Sequence, residues 1–143
     1  MNNKFERPLF IIGAQRSGTT ILSLMLSRHS KVFLTVNGKI LYYLIHWIYY
    51  DKSSYRQNHI RLDEIVYSLK RRPILGIEDN ILSSMLDILS NEFSISDFYD
   101  KAPKEIITYI WETTYKSVCN DAIIVGDKYN EYLLQLETLK QIY

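Results

Sequence analysis

Between Pro8 and Leu26 the chain passes from a short apolar run, Pro8-Leu-Phe-Ile-Ile12, through Gly13-Ala-Gln-Arg-Ser-Gly-Thr-Thr20 into a stretch carrying Ile21, Leu22, Leu24, Met25 and Leu26. An apolar run this short, ended by glycine, reads as a strand buried on both faces, and the apolar positions after Thr19 recur at helical spacing. A strand, a tight glycine loop and a helix in immediate succession leave few folds open, because a strand buried on both faces needs helices to cover it. The pattern returns near the other end, where Asp121-Ala-Ile-Ile-Val-Gly126 is a second apolar run ending at glycine, and Lys31-Val-Phe-Leu-Thr-Val36 reads as a third extended piece. Helices are predicted over 40–50, 62–70, 79–90 and 103–118, the last opened by Pro103 at its first position, with the polar residues 51–60 as a loop. A final helix is expected from an Asn130 cap through Leu133, Leu134, Leu136 and Leu139. The expected fold class is α/β, a helix-rich three-layer arrangement around a parallel sheet. The loops after Gly13 and Gly126 would then emerge at one shared carboxyl edge, where such sheets bind ligands.

The 143 residues amount to about one domain, and five Gly and three Pro in the whole chain mark no internal boundary. With 17 Lys+Arg against 16 Asp+Glu the net charge is +1, which excludes a protein held to nucleic acid by bulk charge. The distribution is uneven: residues 1–50 hold six basic side chains and one acid, Glu6, so an anionic ligand is expected near this N-terminal third. The single cysteine, Cys119, has no partner for an internal disulfide and no neighbours at metal-ligand spacing, so no metal is expected. MNNKFERPLF lacks the apolar core of a signal peptide, and the dense aromatic stretch from Ile40 to Tyr50 is too short to span a bilayer. A cytoplasmic location without membrane attachment is the expectation.

The loop Gly13 to Thr20 has the strand-before, helix-after context that a phosphate-binding loop requires. Glycines at positions 13 and 18 let the backbone curl so that amides point inward, the helix start adds partial positive charge, and the Thr19 and Thr20 hydroxyls can donate to the same oxyanion. It is not a Walker loop, since GxxxxGK followed by Ser or Thr needs lysine where this chain has Thr19. The cation stands at Arg16 instead. Arg16-Ser17-Gly18-Thr19-Thr20 resembles the 5′-phosphosulfate-binding loop of sulfotransferases that use 3′-phosphoadenosine 5′-phosphosulfate (PAPS), in the form where arginine precedes Ser-Gly-Thr-Thr. Val125-Gly126-Asp127-Lys128-Tyr129-Asn130, followed by a leucine-rich helix, is similar to the segment of that family often written GEKTP, with Asp127 for Glu and Tyr129-Asn130 for Thr-Pro.

The resemblance implies a P-loop-like fold and a transfer of the sulfonate group from PAPS to an acceptor hydroxyl or amine, without a metal. Gln15, Arg16, Ser17, Gly18, Thr19 and Thr20 would bind the donor phosphate, and Arg16 and Lys128 would act catalytically by neutralising charge on the leaving phosphate. Taken alone, Lys128 reads as a solvated lysine at a helix start. In the arginine-loop relatives a general-base Glu follows the extended segment equivalent to Val32–Val36, but here Asn37-Gly38-Lys39 stand there. The base is unassigned among His46, His59, Glu78 and Asp79. His46 reads as part of a packed helix face, and the aromatic stretch 42–50 as core first and acceptor pocket second. The acceptor is expected to be a small molecule.

Family members continue past the helix containing Leu139 into a strand and an Arg/Ser segment that grips the nucleotide's 3′-phosphate, whereas this sequence stops at Tyr143. Residues 1–143 are accordingly expected to be a single but incomplete sulfotransferase-like domain that self-associates through exposed sheet. Two other classes stay open: a truncated, non-catalytic phosphate-binding or interaction module built on the aromatic helix, and a P-loop kinase, which the missing lysine disfavours.

Overall fold

A computed structural model describes residues 4–50, 62–72, 74–75, 77–93, 98, 100–119 and 121–143. The predicted loop 51–60, with His59, lies outside the described residues. In chain order the elements are β1 (Leu9–Ile11), α1 (Thr19–Leu26), β2 (Val32–Val36), α2 (Ile40–Ile45), α3 (Leu62–Arg71), α4 (Asp79–Asn91), α5 (Pro103–Lys116), β3 (Ile124–Lys128) and α6 (Leu136–Ile142). From His46 to Tyr50 the end of α2 widens into a π-helical turn, and a 3-10 helix over Asn130–Gln135 leads into α6. The protein is thus α/β and helix-rich around a parallel sheet, and none of the described helices is long and apolar enough to cross a membrane.

The sheet has the order β1-β3-β2, with every pairing parallel. Its last row joins Ile11, Lys128 and Val36, so all three strands end at one edge. Beyond that row, the amide of Asn37 donates to the Lys128 carbonyl at 2.7 Å. On its far side β2 is covered at Val36, whose amide and carbonyl pair with Leu75.

Strand alternation divides the sheet into two faces. One carries Phe10, Phe33, Thr35, Val125 and Asp127 and meets α5 and the 3-10 helix: Phe33 packs edge-on against Tyr115 at 5.9 Å and Phe10 against Tyr132 at 5.3 Å. Behind them lies the main core, which holds Ile40, Leu41, Leu44 and Ile45 of α2, Ile65 and Leu69 of α3, Met85 and Leu89 of α4, and Ile107, Ile110 and Trp111 of α5. Ile11, Leu34 and Lys128 lie on the other face, the one that α1 covers.

Two expectations need correction, and the structure adds a burial direction that the helical spacing of α1 left open. β3 does not stop at Gly126 but runs through it to Lys128. The glycine marks a close approach, since a Cβ there would collide with the Leu9 carbonyl oxygen of β1. Asn130 does not cap a long helix: Tyr129 precedes a 3-10 helix with no side-chain cap, and α6 begins only at Leu136. In α1 the apolar residues are not the buried face. Ser23 is 0 % exposed, while Ile21 is 67 % and Met25 65 % exposed.

Candidate functional site

The loop between β1 and α1 is folded by residues that accept unusual backbone angles. Arg16 has φ 65° and Gly18 φ 81°, so the chain reverses hand twice within three residues. The Ser17 amide closes the turn on the Ala14 carbonyl at 3.2 Å. At Gly13 a Cβ would lie 2.7 Å from both Ser17 Oγ and Thr19 Cγ2, so a side chain there would force those two to shift. Of the amides that follow, those of Arg16, Gly18, Thr19 and Thr20 have no acceptor among the described residues. Free amides in left-handed and turn conformations ahead of an eight-residue helix form a concavity that suits an anion. Gln15, Arg16, Ser17 and Gly18 are exposed and Thr19 and Thr20 half-buried. The Arg16 guanidinium has neither ion pair nor hydrogen bond among the described residues.

Lys128 is not the solvated lysine that its sequence position suggests. At 5 % exposure it occupies the central strand of the last sheet row, on the face that α1 covers, and no described residue accepts a hydrogen bond from its ammonium. The strand before it is held by Asp127, which points to the opposite face and is fully buried. One carboxylate oxygen accepts from Thr35 Oγ1 at 2.8 Å and from the Gly38 amide at 3.0 Å; the other accepts from the Tyr132 hydroxyl at 2.7 Å. Tyr115 shares a 2.8 Å hydrogen bond with Thr35 Oγ1. Burial pushes the Asp127 carboxyl above its ordinary range, and hydrogen bonds from Tyr132, Thr35 and the Gly38 and Lys128 amides oppose that rise. Gly38 is required here, since a Cβ would sit 2.6 Å from Asp127 Oδ1.

After β2, Asn37 and Lys39 both adopt φ 60°, outside the range bulky residues favour. This turn buries Lys39, which is 6 % exposed. Burial lowers its ammonium below the ordinary lysine value, as does the nearby Arg72 charge, while Glu131 and Asp127 raise it. Beside it stand half-buried aromatics: Tyr42 packs edge-on against Tyr129 at 5.0 Å and lies 6.3 Å from Tyr132, and Tyr43 stacks on Trp47 at 5.4 Å. The stretch 42–50 therefore splits, with Leu44, Ile45, Trp47 and Ile48 in the core and Tyr42 and Tyr43 half-exposed along the site.

Among the base candidates, His46 is exposed rather than packed, one turn beyond Tyr42 on the same helix, with the two rings stacked at 6.4 Å. Glu78 and Asp79 are exposed at the start of α4. Sequence reasoning passed over Lys39 and Glu131. The positive charge of residues 1–50 was the one signal for Lys39, and Glu131 had none beyond lying three residues after Lys128.

The free-amide turn follows β1, and the buried lysine ends β3, at the edge where the three strands end. No curated protein and no solved structure matches the chain. A family model described as the Sulfotransferase family matches residues 8–143. Because that match takes in the glycine loop, all three strands and the last helix together, the chain belongs to the sulfotransferase family.

Proposed function

We propose that the protein transfers a sulfonate group from PAPS to a hydroxyl or amine of a small-molecule acceptor, with Gln15 to Thr20 holding the 5′-phosphate of the donor. The observation that carries this reading is the Arg16–Thr20 turn, in which the amides of Arg16, Gly18, Thr19 and Thr20 and the Arg16 guanidinium have no partner among the described residues. Sulfonyl transfer passes a trigonal SO3 group in line from the bridging phosphate oxygen to the acceptor, so negative charge grows on the leaving phosphate. Fixed cations aimed at that charge stabilise the transition state more than the ground state. Arg16 supplies one from the loop. Lys128, buried in the last sheet row, supplies another whose position does not have to be organised during the reaction.

The product nucleotide, 3′-phosphoadenosine 5′-phosphate (PAP), tests the reading directly. At about a hundred times its Kd it should stabilise the protein by about 2.7 kcal/mol, read as a rise in Tm. Arg16→Ala should remove that rise, Lys128→Ala should reduce turnover more than PAP binding, and Mg-ATP should not substitute for PAP. Melting curves that do not respond to PAP at any concentration overturn the proposal.

A further inference from the structure

Transfer to a hydroxyl needs a group that takes the acceptor's proton, and the three residues that follow β2, Asn37-Gly38-Lys39, contain no carboxylate. The structure brings one toward that place from the 3-10 helix that follows β3. The ends of β2 and β3 are tied by the hydrogen bond from the Asn37 amide to the Lys128 carbonyl, 2.7 Å. After Lys128 the chain takes one extended residue, Tyr129, and turns into the 3-10 helix, which lies along the start of α2: Gln135 Nε2 donates to the Tyr42 carbonyl at 3.1 Å, and the Tyr129 and Tyr132 rings both meet the Tyr42 ring, at 5.0 and 6.3 Å. Glu131 falls between those two tyrosines and is half-buried. Its charge acts on Lys39, the residue that closes the turn after β2, and on Tyr42 and Tyr129, the last of which also hydrogen-bonds to it.

We infer that Glu131 is the catalytic base of this protein, taking the acceptor's proton at the edge where the strands end, in place of a carboxylate after β2. The inference rests on the sulfonyl-transfer reading. The other carboxylate at this edge, Asp127, is fully buried and both its oxygens already accept hydrogen bonds, from Thr35 and Gly38 on one and from Tyr132 on the other, so it has no free access to an acceptor. Glu78 and Asp79 face solvent at the start of α4, and His46 lies a helical turn further from the strand ends than Tyr42. In the step, the acceptor O–H gives its proton to the Glu131 carboxylate and its oxygen forms the new O–S bond. The S–O bond to the donor phosphate breaks with its electron pair staying on the phosphate oxygen. The products are the sulfate ester, PAP and a proton that leaves Glu131 for water.

The experiment uses the full chain saturated with PAP, and p-nitrophenol as an acceptor whose ionisation is visible in its absorbance. A carboxylate receiving its hydroxyl hydrogen favours the neutral phenol, so bound p-nitrophenol should titrate above the free compound. Glu131→Gln should lower that bound value by about one pH unit, a tenfold change in the ionisation constant. Glu131→Asp should restore part of the shift. PAP must raise the Tm of both variants as it does that of the parent, which shows the donor site intact. If Glu131→Gln leaves the bound titration unchanged while PAP still protects, the assignment of Glu131 is overturned and the sulfonyl-transfer reading stands. If PAP protects none of the proteins, both fall.

Discussion

Lys39 shows how one residue can oppose the stability of the fold around it. Its φ of 60° costs a residue with a Cβ about 1 kcal/mol relative to glycine, and the residue as a whole is 6 % exposed, with the like charge of Arg72 acting on its ammonium. Because burial, followed by Arg72, lowers its folded value below the ordinary 10.5, the unfolded chain holds this proton more tightly than the folded one. The charged form therefore lowers stability at neutral pH, and that penalty fades as the pH rises from the folded value toward 10.5. Lys39→Gly should raise stability at neutral pH by about 1 kcal/mol, the relief of strain and charge burial outweighing the extra freedom of glycine in the unfolded chain. The gain should shrink as the pH approaches that of free lysine. Urea midpoints at neutral and alkaline pH test this, and a gain that does not change with pH would show that the buried charge contributes nothing. A residue that destabilises its own fold in this way is consistent with a role at the site.

At the scale of elements, α1 is the clearest case of a pattern that gives the period of an element but not the direction it faces. The apolar spacing after Thr19 does mark a helix, but the face laid on the sheet is the serine one. Ser23 Oγ donates to the Thr19 carbonyl at 2.7 Å, and Ser27 Oγ reaches the Ser23 carbonyl at 2.8 Å and the Leu34 carbonyl of β2 at 3.1 Å. Small side chains that bond back to their own helix let it sit close to the strands, which turns Ile21, Leu22 and Met25 outward. Ser23→Leu should then destabilise by about 1–3 kcal/mol through overpacking, whereas Met25→Lys should change stability by no more than about 0.5 kcal/mol. Equal effects of the two in thermal unfolding would contradict the orientation. β3 has a similar explanation. Gly126 resembles a strand end in sequence, but the strand continues because the glycine is there to admit the Leu9 carbonyl, a contact between residues far apart in the chain. Local patterns reveal periodicity and turns; they do not reveal which neighbour will press against them.

For the molecule as a whole, the candidate site was legible where it is contiguous and hidden where it is assembled. Arg16 to Thr20 and Lys128 lie in unbroken motifs, so residue order alone marked them. The proximity of Lys39 and Glu131, and the burial of Lys128, depend on β3 lying between β1 and β2, which no local signal records. Asp127 is the group that converts this topology into fixed geometry, since it joins β2, the turn at Gly38 and the 3-10 helix, residues up to 92 positions apart in sequence. Asp127→Ala would leave the Thr35 and Tyr132 hydroxyls and the Gly38 amide without their acceptor, at a cost of about 3 kcal/mol or more, and should weaken PAP protection along with the fold. Asp127→Asn retains one oxygen for Thr35 and Gly38 and should keep both fold and protection. Acid separates the parent from the Asn variant. The folded Asp127 carboxyl lies above its ordinary 3.8, so between that value and the folded one the native chain binds the proton more strongly than the unfolded chain. Acidification through this window stabilises the parent relative to Asp127→Asn, which has no such proton to take up. Paired melting curves from neutral to acidic pH should show the difference moving in favour of the parent, and movement in the other direction would mean that the network of donors, rather than burial, governs this carboxylate.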